Sequence, residues 1–166
     1  MKDLIQKAKE FATNAHAQQK RKYSGEPYIV HPIEVMEIVK SVPHDEAMLA
    51  AALLHDVVED TPTSIEDIKN LFGDDVAALV EDLTDVSKPE DGNRKARKAI
   101  DREHSAKAAP RAQTIKLADL ISNSSDILEN DPKFAKVYLA EKELLLEVLT
   151  KGDKSLYKRA GKFLTR

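Results

Sequence analysis

The sequence contains no cysteine, which removes disulfides, zinc–thiolate sites and thiol nucleophiles from consideration. It also lacks a surplus of positive charge. A formal net charge of -3 argues against a general nucleic-acid or membrane-surface binder, whose affinity leans on excess Lys and Arg, so any basic patch is local. No apolar run approaches the length that spans a bilayer. The stretch "MKDLIQKAKEFATNAHAQ" is amphipathic rather than continuously apolar, so it does not read as a secretory signal. Alternating strand patterns, internal repeats and domain linkers are all missing. With 166 residues, 42% hydrophobic and 33% charged, the expectation is one soluble cytoplasmic domain, residues 1–166, long enough to bury a core.

What is present has helical period. Leu4, Ala8, Phe11, Ala12 and Ala15 share one stripe; Val35, Ile38, Val39 and Val42 share another, and Val76, Leu79, Val80 and Leu83 a third. Leu156, Tyr157, Ala160, Phe163 and Leu164 repeat the theme near the C-terminus. Thr63 with Glu66 has the spacing of a capping box, and Asp74 after Gly73 marks another helix start. Residues 45–58 differ: Met48, Leu49, Ala51, Ala52, Leu53, Leu54, Val57 and Val58 cover the whole circumference, as a helix wrapped by others requires. The predicted fold is all-α, a helical bundle around this central apolar helix. "YSGEP" at 23–27 reads as a turn, and "VSKPEDGNRKARK" at 86–98 as a mobile polar loop.

The apolar helix ends in "LLHDVVEDT", residues 53–61, which carries His55, Asp56, Glu59 and Asp60. On a continuous helix, His55 neighbours Glu59 and Asp56 neighbours Asp60. Such groups in an apolar setting are costly unless paired or bound to metal. His31, before Pro32, and Asp119, in "IKLADLISN", are further candidates. Together His31, His55, Asp56 and Asp119 make a mixed nitrogen and oxygen donor set that suits manganese, iron or zinc better than calcium. Glu59 and Asp60 are then free for proton transfer or water positioning. Each residue alone has an ordinary reading as a helix cap, a surface turn or an i,i+3 ion pair; the ordered combination is what points to a metal site.

Three blocks, "HAQQKRKYSGEPYIVHPIEV" (16–35), "LLHDVVEDT" (53–61) and "IKLADLISN" (115–123), resemble the motifs of the HD-domain alarmone hydrolases. That family comprises the hydrolase half of the RelA/SpoT-type stringent-response enzymes and the small stand-alone, Mesh1-like hydrolases. The resemblance covers about 1–150 of the chain and implies the stand-alone form. It implies an HD-domain fold and a metal held by His31, His55, Asp56 and Asp119, most of all manganese, with iron, zinc or cobalt as alternatives. Glu59 and Asp60 match the catalytic acidic pair. Arg21 and Lys22 match a basic pair over the base, where a guanidinium can stack, and Asn123 a nucleoside contact. His16 opens the first motif, where it either supports the His31 loop or packs at the end of the first helix. The implied reaction is removal of the 3′-pyrophosphate from guanosine tetra- or pentaphosphate.

The chain departs from the family's usual pattern at Gln18 and Gln19, and at Asp126, which stands near where the base would be read and leaves guanine against adenine preference open. Arg94, Arg97, Lys98 and Arg102 are placed either to close over phosphates or to form a solvated helix face. Alternatives are an adenosine alarmone hydrolase, a 5′-nucleotidase, a cyclic-nucleotide phosphodiesterase and a non-catalytic alarmone-binding module. The implied partner is a small nucleotide, with no nucleic acid and no membrane. The run Leu144, Leu145, Leu146, Val148 and Leu149 is either a homo-oligomer face or intramolecular core.

Overall fold

The computed structural model describes residues 3–164. Among them the regular elements are ten α-helices and one 3-10 turn. A lone antiparallel bridge joins Lys20 to Pro27 across the "YSGEP" turn, with Gly25 at φ +72 where a side chain would be strained. The all-α expectation holds. The chain divides into two compact units, Met1–Thr84 and Asp85–Arg166.

The first unit contains α1 (Leu4–Ala15), α2 (Val30–Lys40), α3 (Glu46–Leu54), α4 (Val57–Asp60), α5 (Ile65–Phe72) and α6 (Asp74–Leu83). Beyond its first turn helix α3 has no solvent face: every residue from Met48 to Leu54 is buried, and it packs against α1, α2 and α6. Ala8 and Ala12 lie on the buried side of α1, where small side chains let the backbones approach closely. Asp45 caps α3 by accepting the Met48 N–H at 2.9 Å, which supplies one of the orphan first-turn partners.

Two boundaries differ from the sequence reading. The capping box sits one residue later than expected, Ser64 with Asp67 rather than Thr63 with Glu66. Both frames fit the spacing rule, and Thr63 is instead engaged by the Thr61 hydroxyl at 2.9 Å. More consequentially, the apolar helix does not run through residue 58. It ends at Leu54, His55 and Asp56 form a turn, and a short helix resumes at Val57. The His55 Nδ1–H donates to the Ala52 carbonyl at 2.6 Å, competing for the acceptor that the N–H of residue 56 uses in a continuing helix. Asp56 has φ -101 and ψ -3, the bridge region common among active-site residues.

The second unit contains α7 (Arg94–Ala106), α8 (Pro110–Asn130), α9 (Pro132–Val148) and α10 (Lys154–Leu164). Pro110 and Pro132 open their helices, where the missing N–H costs nothing. Helix α8 packs against α9 and α10, and α7 against α9. The segment expected as a loop to residue 98 becomes helical at Arg94, because Asn93 Oδ1 accepts the Ala96 N–H at 3.0 Å and caps α7. Its start is also tied down: Asp101 accepts the backbone N–H groups of Val86 and Ser87, each at 2.9 Å. In the leucine run, Leu145, Leu146 and Leu149 are core while Leu144 is exposed.

Candidate functional site

In the first unit the fold brings three of the expected ligands together. His31 enters on the first turn of α2, His55 caps the C-terminus of α3, and Asp56 follows in the turn. One donor atom from each lies within 4.8 Å of the other two. Both imidazoles are buried, with ring centroids 5.4 Å apart. Asp56 Oδ2 lies 3.0 Å from His55 Nε2 and 3.9 Å from His31 Nε2.

The protonation pattern suits a cation. A carbonyl only accepts, so the bond to Ala52 puts the proton of neutral His55 on Nδ1 and leaves an Nε2 lone pair facing the Asp56 carboxylate. Two such acceptors at 3.0 Å repel one another unless a cation, a proton or a metal ion, lies against both. Carbonyl-oriented imidazoles of this kind are what metal sites use to fix the ligating tautomer. The residues therefore fit a divalent ion.

Two further residues complete this part of the site: Tyr28, which the sequence reading did not single out, and Gln19, which it noted only as a departure from the family's pattern. The Tyr28 hydroxyl donates to Asp56 Oδ2 at 2.5 Å, and its ring stacks at a tilt on His16, centroids 4.8 Å apart. Gln19 accepts from His16 Nδ1–H at 2.9 Å and donates from its amide nitrogen to Asp60 Oδ2 at 3.3 Å. The buried His16 Nε2 finds no hydrogen-bond partner among the described residues. His16, at the end of α1, thus touches Tyr28 through its ring and Gln19 through its Nδ1–H. Spacing was the available signal: Tyr28 precedes His31 by three positions, and Gln19 follows His16 by three.

Glu59 and Asp60 both reach solvent from α4. The Asp60 carboxyl is nevertheless held above its ordinary range, chiefly by partial burial and then by repulsion from Asp56, with the Gln19 bond and the His16 and His55 imidazoles opposing. A carboxylate of raised basicity beside a cluster of metal-ligand type is suited to receiving a proton. Arg21 is half-buried and Lys22 exposed; the Lys22 ammonium lies over the Tyr23 ring, 5.4 Å from its centroid.

Asp119 and Asn123 belong to α8 in the second unit, where Asn123 Nδ2 donates to Asp119 Oδ1 at 3.1 Å. Asp126, one turn on, accepts from Asn130 Nδ2 at 2.9 Å. Arg94 is engaged by Glu141 through both carboxylate oxygens, at 2.7 and 3.0 Å. Arg97 is half-buried, its Nε without a hydrogen-bond partner among the described residues. The basic cluster thus lies on a helix rather than on a mobile loop.

Comparison with known proteins adds to this geometry. The HD domain family profile matches residues 8–145. The chain is 45% identical over 126 residues to the Drosophila melanogaster guanosine-3′,5′-bis(diphosphate) 3′-pyrophosphohydrolase MESH1, covering 74% of this chain and 69% of that one. It is 56% identical over 85 residues to a probable guanosine-3′,5′-bis(diphosphate) 3′-pyrophosphohydrolase of Synechocystis, covering 51% of this chain and only 11% of that longer protein. The solved structure of a metazoan ortholog of SpoT, described as hydrolysing ppGpp, superposes with a TM-score of 0.88 at 34% identity, over 99% of this chain and 96% of that one. The chain belongs to the HD-domain family and, within it, to the Mesh1 and SpoT-like group.

Proposed function

We propose that this protein is a metal-dependent hydrolase that removes the 3′-pyrophosphate of guanosine alarmones, with residues 1–166 acting as one catalytic domain. The observation that carries the reading is the convergence of His31, His55 and Asp56 donor atoms within 4.8 Å, flanked by the Glu59 and Asp60 carboxylates on the next turn. Identity of 45% to an enzyme named for this reaction supports it.

His31, His55, Asp56 and Asp119 would hold the metal, for which manganese is our choice. A bound divalent ion supplies a Lewis acid that polarises a phosphoryl oxygen and acidifies water. The rest falls to the chain. In the reaction a P–O bond forms from water and the P–O bond to the ribose 3′-oxygen breaks, with the water losing a proton and the 3′-oxygen leaving with one. Asp60, raised in basicity and steadied by Gln19, receives the proton, and Glu59 orients the water. Tyr28 fixes the rotation of the Asp56 carboxylate. Arg21 and Lys22 hold the nucleotide, and Asn123 the nucleoside.

Among the described residues no helix is long and apolar enough to cross a membrane, in keeping with a cytoplasmic enzyme acting on a small nucleotide. The decisive experiment incubates metal-stripped protein with guanosine tetraphosphate, with and without Mn²⁺. Metal-dependent release of GDP and pyrophosphate is expected. Absence of turnover while the metal still binds would overturn the substrate and keep the site. The adenosine counterpart, run in parallel, reads the influence of Asp126 on base preference.

A further inference from the structure

The second unit encloses a cavity of about 50 Å³ bounded by α7, α8, α9 and the segment after α6. Roughly 10–15 Å³ of such space holds one water, so the cavity takes a few waters or one tetrahedral oxyanion. Four cationic side chains line it: Lys98 and Arg102 from α7, Lys116 from α8 and Lys142 from α9. Three carboxylates share the lining, Asp85, Asp101 and Glu141, and two of these have other commitments. Asp101 holds the Val86 and Ser87 N–H groups and, at 2.7 Å, the Ser87 hydroxyl. Both oxygens of Glu141 are taken by Arg94.

Hydrogen bonds from neutral donors leave Asp101 charged, and Glu141 also faces Lys98 and Lys142, so the lining sets four cations against three carboxylates and stays positive, and Lys142 registers it. Its ammonium lies over the Tyr138 ring, 5.2 Å from the centroid. Burial, then repulsion from Lys116 and Lys98, pull its pKa down to about 8 against the weaker opposing pull of Asp119 and Asp85. An arrangement that gathers ammonium groups at a cost to one of them is relieved by an anion held between them.

We propose that this cavity is a binding site for a phosphate-type oxyanion, held by Lys98, Lys142 and Arg102 with Lys116 alongside. The shared chemistry has two sources: free inorganic phosphate or pyrophosphate, or the phosphate end of a bound nucleotide. The free-anion source stands apart from the hydrolase reading, because the lining draws no residue from the metal-ligand or acidic set, whereas the nucleotide source rests on that reading.

The test uses the full chain, stripped of metal, titrated with inorganic phosphate by calorimetry. Lys142→Met keeps length and apolar packing while removing the charge, and binding is expected to weaken roughly tenfold or more. Lys98→Gln is the second variant, since it leaves the Tyr138 contact in place. NMR of the lysine side chains gives an independent readout: added phosphate should raise the pH at which Lys142 titrates. Equal phosphate affinity in wild type and both variants, no binding to wild type, or an unmoved Lys142 titration would overturn the site. The two sources separate in turnover with guanosine tetraphosphate. A raised KM in Lys142→Met assigns the site to the nucleotide; an unchanged KM with lost phosphate binding assigns it to the free anion. Failure of turnover in wild type bears on the hydrolase reading alone, because phosphate binding is measured without it.

Discussion

The Tyr28 hydroxyl and the Asp56 carboxylate are joined by a hydrogen bond of 2.5 Å that spans 28 positions of sequence. It ties the turn before α2 to the turn after α3, so the residue that orients Asp56 comes from the same segment that delivers His31. Groups that orient ligands in this way are worth about 10–100-fold in metal affinity. Tyr28→Phe keeps the ring contacts to His16 and His31 and removes only the hydroxyl. We expect Mn²⁺ binding to the metal-free protein to weaken by about 10–100-fold, with the thermal midpoint of the metal-free protein little changed. Activity should return at saturating Mn²⁺. Undiminished Mn²⁺ affinity would show that Asp56 needs no such support.

The acidic pair separates binding from chemistry. Glu59→Gln and Asp60→Asn preserve side-chain volume on a solvent-facing turn, so neither should disturb the fold or the Mn²⁺ affinity. General acid–base groups contribute about 10²–10⁴-fold to rate, and a loss of kcat in that range with KM retained is the expected result. A variant that turns over normally at saturating substrate would remove its residue from the proposed chemistry. His55→Ala is the contrast: it should lose metal and turnover together.

How much of this was legible in the sequence follows from what kind of interaction set each feature. The all-α class and the solvent-free α3 rest on periodicity, and periodicity is local. His31, His55 and Asp56, whose donor atoms converge, were singled out because their residue types are chemically distinctive and their blocks resemble a family. The turn at His55 was not legible, because it depends on a side-chain bond to the Ala52 carbonyl that competes with an otherwise strong helical pattern. The roles of Tyr28 and Gln19 were not legible for a similar reason: an aromatic and an amide are ordinary in a loop until their partners are known. The segment read as a loop stays irregular around Pro89 and Gly92 and turns helical only from Arg94, where Asn93 caps α7. The gathering of Lys98, Lys116 and Lys142 around one cavity joins three helices, which no local pattern records.

A buried amide holds the second unit together. Gln113 is 0% exposed; its amide nitrogen donates to the carbonyls of Ser105 at 3.1 Å and Val148 at 3.3 Å, and its oxygen accepts the Lys151 N–H at 2.9 Å. One side chain thereby secures the ends of α7 and α9 and the turn into α10. Gln113→Leu conserves bulk but strands the buried Ser105 carbonyl and the partly buried Val148 carbonyl and Lys151 N–H; a buried unsatisfied group costs about 1–3 kcal/mol. We expect a destabilisation of at least about 2 kcal/mol in urea unfolding. A change near zero would mean that water or backbone adjustment replaces the lost partners.

Lys142 should leave a signature in the pH dependence of stability. Its pKa falls from the ordinary 10.5 to about 8 in the folded protein, through burial and the Lys116 and Lys98 charges, with Asp119 and Asp85 opposing. Between those two values the unfolded chain binds more protons at this position than the folded one, so stability contributed here rises with pH. Below about pH 8 both states carry the proton and the full penalty applies. Lys142→Met is therefore expected to be more stable than wild type at pH 7 in phosphate-free buffer, and the gap should close as pH climbs from about 8 toward 10.5. Taking the difference between the two proteins cancels the lysines common to both. A gap that stays constant across that range would mean the ammonium is not under electrostatic stress, and that any stability gain came from packing of the methionine.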